Sequence, residues 1–147
     1  MKIDNNRIAH MHGVAEWMYT NAEFFGCKDK NRAYLIGLLH DVGFVDGVKD
    51  HELNGAKIVG SNTYIGKIIK NHGITPVEYI DKYKSNPPKE LILLWAADLC
   101  IDAYGNDVGF DGRLEDIKLR HGEVSSAYRC SLITINWLKN YLNGINE

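Results

Sequence analysis

The chain has 147 residues, of which 45% are hydrophobic and 24% charged, and this is the composition of a globular protein that can bury its own core. Its formal net charge of -2 excludes a general attraction to nucleic acid polymers or to anionic membranes. Because Cys27, Cys100 and Cys130 form no CxxC pair, a zinc ribbon is excluded and a reduced, cytoplasmic location is expected.

Hydrophobic spacing predicts four helices in the first half of the chain. Apolar residues recur at intervals of three and four from Ile8 onward, and they predict a helix from about Arg7 to Phe25 that ends at Gly26. Further helices are predicted over about Lys30 to Asp41, His51 to Val59 and Tyr64 to Asn71, the last of them closed by Gly73 and Pro76.

In the second half, Pro87-Pro88 breaks the chain before an apolar helix from about Lys89 to Tyr104. Three glycines predict a loop over Gly105 to Gly112. Two C-terminal helices are expected after it, over about Leu114 to Arg120 and Glu123 to Leu142. The expected fold is all-α: a single compact helical domain over residues 1–147, with C-terminal helices at about 113–142. The longest apolar run, Leu91 to Ala97, is too short to span a membrane.

His40 and Asp41 follow a mostly apolar helix, Ala33 to Leu39. Two polar side chains at the end of a buried helix are costly unless they have partners. The carboxylate of Asp41 has two oxygens and is therefore able to bridge two cations. The alternative is that Asp41 only caps a turn before Gly43.

Asp98 lies inside the apolar segment Leu91 to Ile101, where a carboxylate needs a metal, an arginine or a lysine as partner. Asp102 lies four residues on, where a supporting or capping role is open to it. His10 lies beside the apolar stripe of the first helix, whereas His12 is about 200° around that helix and is expected to face solvent.

Two further histidines have plausible roles outside a metal site. His51 starts a predicted helix, and its context is not the zinc-protease HExxH motif because Gly55 replaces the second histidine. His72 ends a helix, where an imidazolium is favourable by itself. A basic cluster around His121 is expected either to contact a substrate phosphate or to be a solvated helix face, and its members are Arg113, Lys118 and Arg120.

The series His10, His40-Asp41, His51, His72, Asp98 resembles the HD-domain superfamily of metal-dependent phosphohydrolases over about residues 7–104. The resemblance implies that one divalent metal is held by His10, His40, Asp41 and Asp98. It implies a second metal on His51 and His72, with Asp41 bridging the two. Imidazole and carboxylate ligands suit iron, manganese, nickel or zinc.

Within that superfamily, three segments are similar to those of bacterial symmetrical diadenosine-tetraphosphate hydrolases: Gly37 to Asp41, His51 to Ala56 and Ala97-Asp98. The basic residue that those enzymes carry after the His-Asp pair is replaced here by Val42-Gly43-Phe44, and their Pro and Arg after the final aspartate by Leu99 to Tyr104. The resemblance implies hydrolysis of a phosphoester or phosphoanhydride in a small phosphorylated substrate, a nucleotide, by a metal-activated water at His40 and Asp41. No membrane or nucleic acid polymer is expected as partner, and a homodimer through the last helix remains open.

Two other functions share this ligand order. It is also similar to that of HD-type di-iron oxygenases, which cleave C–C or C–P bonds. A non-catalytic, metal-stabilised module that senses a nucleotide or a partner is the other alternative, and an exposed apolar patch around Trp137 and Tyr141 would support it.

Overall fold

The computed structural model describes residues 3–47 and 49–146, and this part of the chain is helical. Within it, pairing of extended backbone is confined to one bridge between Ile101 and Asp107, so the all-α prediction is confirmed. None of the described helices has the length and apolar character needed to cross a membrane. The helices are α1 (Asn5–Asn21), α2 (Lys30–Leu39), a 3-10 helix (Val42–Gly47), α3 (His51–Val59), α4 (Tyr64–Asn71), α5 (Pro76–Tyr83), α6 (Lys89–Asp98), α7 (Gly109–His121) and α8 (Ser126–Asn146).

Side-chain caps explain where most of the N-terminal helices begin. A short polar side chain before the helix accepts a hydrogen bond from an otherwise unpaired backbone N–H of the first turn. This role is played by Asp4 for α1, Asp29 for α2, Asp50 for α3, Thr63 for α4 and Thr75 for α5.

Helix α5 is absent from the sequence prediction, which treats Pro76 as the end of α4. In the structure Pro76 starts a new helix, where its missing N–H costs nothing. Thr75 and Glu78 form a reciprocal capping box around that start. Pro76 therefore marks the start of α5, and the capping box fixes that start.

Two predicted boundaries in the second half are wrong. Helix α6 ends at Asp98 rather than near Tyr104, since Asp102 Oδ1 accepts the backbone N–H groups of Tyr104 and Asn106, both at 2.9 Å, and holds this segment as a loop. Helix α7 begins at Gly109, so residues 109–112 are helical rather than part of a loop. The C-terminal helices therefore occupy 109–121 and 126–146 instead of about 113–142.

Helix α6 is the centre of the packing. Every residue from Leu91 to Ala97 is buried, as expected for a helix that is apolar on all sides. It contacts α1, α2, α4 and α8, and its last residue, Asp98, is partly buried, with a side chain that is 28% exposed. Helices α1 and α2 approach closely at Gly37, where an added Cβ would lie 2.7 Å from the Cα of Ala15.

We expect Gly37→Ala to destabilise the protein. Alanine is favoured over glycine in a helix by about 1 kcal/mol, but the clash with the backbone of α1 costs about 1 to 3 kcal/mol. Gly144→Ala in α8 is the control, because a Cβ there meets nothing within 4 Å, and it should be neutral or slightly stabilising. Chemical denaturation of both variants measures the difference, and equal stability of the two would contradict the close approach of α1 and α2.

Candidate metal centre

The side chain of Asp41 lies at the middle of a cluster of histidines. It follows α2 and is only 6% exposed. Its Oδ2 atom lies 3.3 Å from His40 Nε2 and 3.8 Å from His10 Nε2. Its Oδ1 atom lies 3.6 Å from His51 Nε2 and 3.5 Å from His72 Nε2. Each carboxylate oxygen therefore faces its own pair of imidazoles.

Asp98 joins the first of these pairs. Its Oδ1 atom lies 2.8 Å from His10 Nε2 and 3.5 Å from His40 Nε2. The structure thus brings together all six residues that the sequence analysis selected as metal ligands. They form two groups that share Asp41, one with His10, His40 and Asp98 and the other with His51 and His72.

The imidazole rings are oriented by backbone carbonyl groups. A carbonyl oxygen can only accept a hydrogen bond, so a ring nitrogen that contacts one must carry the hydrogen. The other ring nitrogen, Nε2, is then left to face the carboxylates, as in metal-binding histidines. The Nδ1–H donors and their carbonyl acceptors are His10 with Asp102 (2.8 Å), His40 with Gly37 (2.7 Å) and His72 with Ile69 (2.5 Å).

His51 is held by side chains instead. Its Nδ1 atom lies 3.2 Å from Glu52 Oε2, and its ring stacks on Phe44 with a centroid distance of 3.9 Å. Glu52 itself packs against the backbone of Gly73, where an added Cβ would lie 2.2 Å from Oε1. His51 therefore also presents Nε2 to Asp41.

The electrostatics of the cluster favour positive charge around the two aspartates. Burial by itself lowers the pKa of His40, but Asp41 and Asp98 outweigh it and raise this pKa to about 10. Burial opposes ionisation of Asp41, yet His40 and His72 hold its pKa well below the usual value. Burial likewise opposes ionisation of Asp98, but His10 and His40 outweigh it and hold the pKa of Asp98 well below the usual value.

The pKa values of His51 and His72 are shifted in opposite directions. Burial lowers the pKa of His72, but its hydrogen bond to Asp41 raises it above the ordinary value. The pKa of His51 is lowered, first by burial and then by the neighbouring His72. One cationic imidazole thus disfavours a second one beside it.

The donor set fits divalent metal ions. Among the described residues, buried His40 Nε2 has no well-formed hydrogen bond although it lies 3.3 Å from Asp41 Oδ2, and an ion between these atoms would satisfy both. Two ligands on one ion with bonds of 2.0–2.2 Å lie about 3.0 to 3.4 Å apart, and the separations around Asp41 and Asp98 run from 2.8 to 3.8 Å. Imidazole with carboxylate is a ligand set for borderline transition metals.

A cavity of about 390 Å³ opens beside the cluster. Five of the six candidate ligands line it, while His40 is fully buried behind them. Helices α7 and α8 supply the opposite wall, with Arg113 and Arg120 from α7 and Ser131 and Thr134 from α8. A ligand in this cavity would therefore lie between the aspartates and the C-terminal helices.

The three basic residues expected to contact substrate are placed differently. Arg113 donates to the Asp98 carbonyl at 3.1 Å and to Asp116 Oδ2 at 2.8 Å, so it braces a candidate ligand. Arg120 lines the cavity. Lys118 does not line it, because it is turned about 100° from the cavity-facing Ile117, and the structure does not support Lys118 as a substrate contact.

Three residues at the site are not predicted from the sequence: Arg7, Phe44 and Glu52. Arg7 Nη1 lies 3.1 Å from Asp41 Oδ2, and the guanidinium lies over the Phe44 ring. Arg7 precedes His10 by three residues, about one helical turn, so helical spacing was a usable signal for it. The stacking of Phe44 on His51 joins two separate elements and has no comparable signal in the sequence.

Comparison with protein families matches residues 7–102 to the family described as HD domain. The matched segment covers about two thirds of the chain and includes all six candidate ligands, whereas α7 and α8 lie outside it. No curated protein and no solved structure matches the chain.

We expect metal binding near pH 7 to release protons. The raised pKa of His40 means that the metal-free protein holds a proton on this imidazole at neutral pH, and a metal can bind Nε2 only after that proton leaves. Metal affinity should therefore increase from pH 6 to pH 9. Calorimetric titration with manganese in two buffers of different ionisation enthalpy measures the released protons, and a pH-independent affinity without proton release would contradict this assignment.

Proposed function

The chain belongs to the HD domain family, and we propose that it is a metal-dependent phosphohydrolase with a dinuclear centre. The observation that carries the proposal is the pair of imidazole Nε2 atoms on each oxygen of the buried Asp41. This arrangement suits two divalent ions from the group of iron, manganese, nickel and zinc. We propose His10, His40 and Asp98 as ligands of one ion and His51 and His72 as ligands of the other, with Asp41 bridging.

When bound, such ions supply an activated water and neutralise charge that develops on phosphoryl oxygens. The chain's own residues prepare the site for this chemistry. The carbonyl groups behind His10, His40 and His72, together with Glu52 behind His51, hold the Nδ1 side of each ring and thereby aim each Nε2 at Asp41. Arg113 holds the end of α6 and thereby the position of Asp98.

For the substrate we propose a small phosphorylated compound, a nucleotide. The cavity volume of about 390 Å³ is near the lower end of the range of ligand pockets, about 300 to 1,000 Å³. Its wall combines the apolar side chains of Trp95 and Ile117 with the cations Arg7 and Arg120. A phosphate at the aspartates and a flat apolar group beside Trp95 would use both kinds of surface.

Diadenosine tetraphosphate is one candidate within this class. It rests on the likeness of residues 37–41 and 51–56 to the corresponding segments of its hydrolases. A cavity of this volume would hold only part of such a dinucleotide, so one nucleoside would lie outside it. A mononucleotide needs no such arrangement.

We expect His40→Ala and Asp41→Asn to abolish metal binding and to lower phosphodiester hydrolysis by at least about a hundredfold, because each removes a ligand that nothing else replaces. The matched control is His12→Ala, since His12 is an exposed histidine on the same helix as His10. Elemental analysis, circular dichroism and a chromogenic phosphodiester assay measure metal content, folding and rate. Under the proposal the wild type holds two metal equivalents, and a correctly folded Asp41 variant with full activity would refute it.

Hydrolysis and oxygenation use the same kind of ligands, so oxygen dependence separates them. We expect the metal-loaded protein to hydrolyse the phosphodiester at the same rate with and without oxygen, because the proposed reaction consumes only water. Anaerobic rate measurements provide the test, alongside iron spectra recorded on exposure to oxygen. A mixed-valent diiron signal together with absent hydrolysis would favour the oxygenase and contradict the proposal.

A further inference from the structure

Arg7 lies at the border between the buried cluster and the open cavity. Its side chain is 34% exposed, while that of its partner Asp41 is 6% exposed. We propose that Arg7 binds the phosphate oxygens of the ligand, with Phe44 holding its guanidinium in place. This inference rests on the proposed phosphohydrolase function and adds a ligand-binding residue to it.

The capped first turn of α1 fixes the backbone position of Arg7. Arg7 is in the first turn of α1, where Asp4 Oδ1 accepts its backbone N–H at 3.4 Å. It lies three residues before His10, so both side chains leave α1 on neighbouring parts of one face. Arg7 Nη1 then reaches Asp41 Oδ2 at 3.1 Å.

Phe44 orients the guanidinium group. The Arg7 Cζ atom lies 3.8 Å from the centre of the Phe44 ring, and that ring stacks on His51 at 3.9 Å with an interplanar angle of 17°. An arginine stacked on an aromatic face loses less rotational freedom when it binds an oxyanion. The stack depends on the tight turn at Gly43, where an added Cβ would lie 1.8 Å from the carbonyl oxygen of His51.

Arg7 retains hydrogen-bonding capacity for a ligand. Arginine has five N–H donors, and within the described chain the Arg7 side chain uses Nη1 alone, on Asp41. Arg113, by contrast, is 14% exposed and is engaged by the Asp98 carbonyl and by Asp116. Arg120 lies seven residues further along α7, about 10 Å from Arg113. Of the arginines that line the cavity, Arg7 combines exposure with direct contact to Asp41.

Charge balance indicates what Arg7 would contact in the protein with metals and ligand bound. Without metals, Arg7 offsets the negative charge of Asp41. Two divalent ions would outweigh the carboxylates of Asp41 and Asp98, and Arg7 would then add to an excess of positive charge. An oxyanion that contacts both the ions and Arg7 removes this excess, and a guanidinium matches two phosphate oxygens at once.

A purely structural role for Arg7 makes a different prediction. If Arg7 served only as the counter-ion of Asp41, its loss would change stability or metal content, but fully loaded protein would bind phosphate as before. Phosphate affinity at fixed metal content therefore separates the two roles.

The test uses inorganic phosphate as the probe and full-length, manganese-loaded protein, with metal content verified for each sample. We expect Arg7→Gln to weaken phosphate binding about tenfold to a hundredfold in calorimetric titration, because a charge-assisted hydrogen bond is lost. Arg7→Lys should fall in between, since it keeps the charge but lacks the paired donors. Arg129→Gln is the matched control, as Arg129 is exposed on α8 and is not among the residues that line the cavity, and the phosphate affinity of this variant should stay within twofold of wild type.

Phosphate affinities of Arg7→Gln and Arg7→Lys within twofold of wild type would overturn the inference while leaving the proposed function intact. If Arg7→Gln fails to fold or to retain manganese, Arg7→Lys, which preserves the positive charge beside Asp41, decides by the same criterion. A loaded wild type that neither binds phosphate nor hydrolyses a phosphodiester would instead refute the proposed function, and the inference with it.

Discussion

The constraint on which the site depends is a carboxylate, Asp41, that is almost completely removed from water. An ionised carboxylate in such a place is costly unless cations or strong donors surround it. Here each of four helices or helix ends delivers one imidazole: His10 from α1, His40 after α2, His51 from α3 and His72 after α4. The relative placement of α1 to α4 is therefore tied to the compensation of one charge.

Helix ends, rather than helix faces, position most of the cluster. The last carbonyl groups of a helix have no partner within it. His40 and His72 each follow a helix directly and donate Nδ1–H to the carbonyl three residues earlier, on Gly37 and Ile69. In both places the carbonyl also accepts the backbone N–H of the same histidine, so it holds the residue by main chain and ring together and aims Nε2 at Asp41.

Much of this could be predicted from the sequence, because the informative residues are polar side chains in apolar surroundings. His40, Asp41 and Asp98 interrupt hydrophobic runs, and such an interruption demands partners wherever the fold places it. Pro76 misled the prediction, since proline is compatible with both an end and a start of a helix, and the capping residues decide between them. The contact of Phe44 with His51 depends on a turn geometry that spacing alone does not specify.

The boundary of the family match separates the candidate ligands from part of the cavity wall. The segment 7–102 holds every candidate ligand, whereas the wall of the cavity facing them comes from α7 and α8. A wall that supplies no candidate ligand is free to differ between proteins with the same centre, so under the proposed function the choice of substrate would depend on it. Arg113 connects the two parts, because it reaches from α7 to the Asp98 carbonyl. A change in the packing of α7 would therefore alter both the shape of the cavity and the position of a candidate metal ligand.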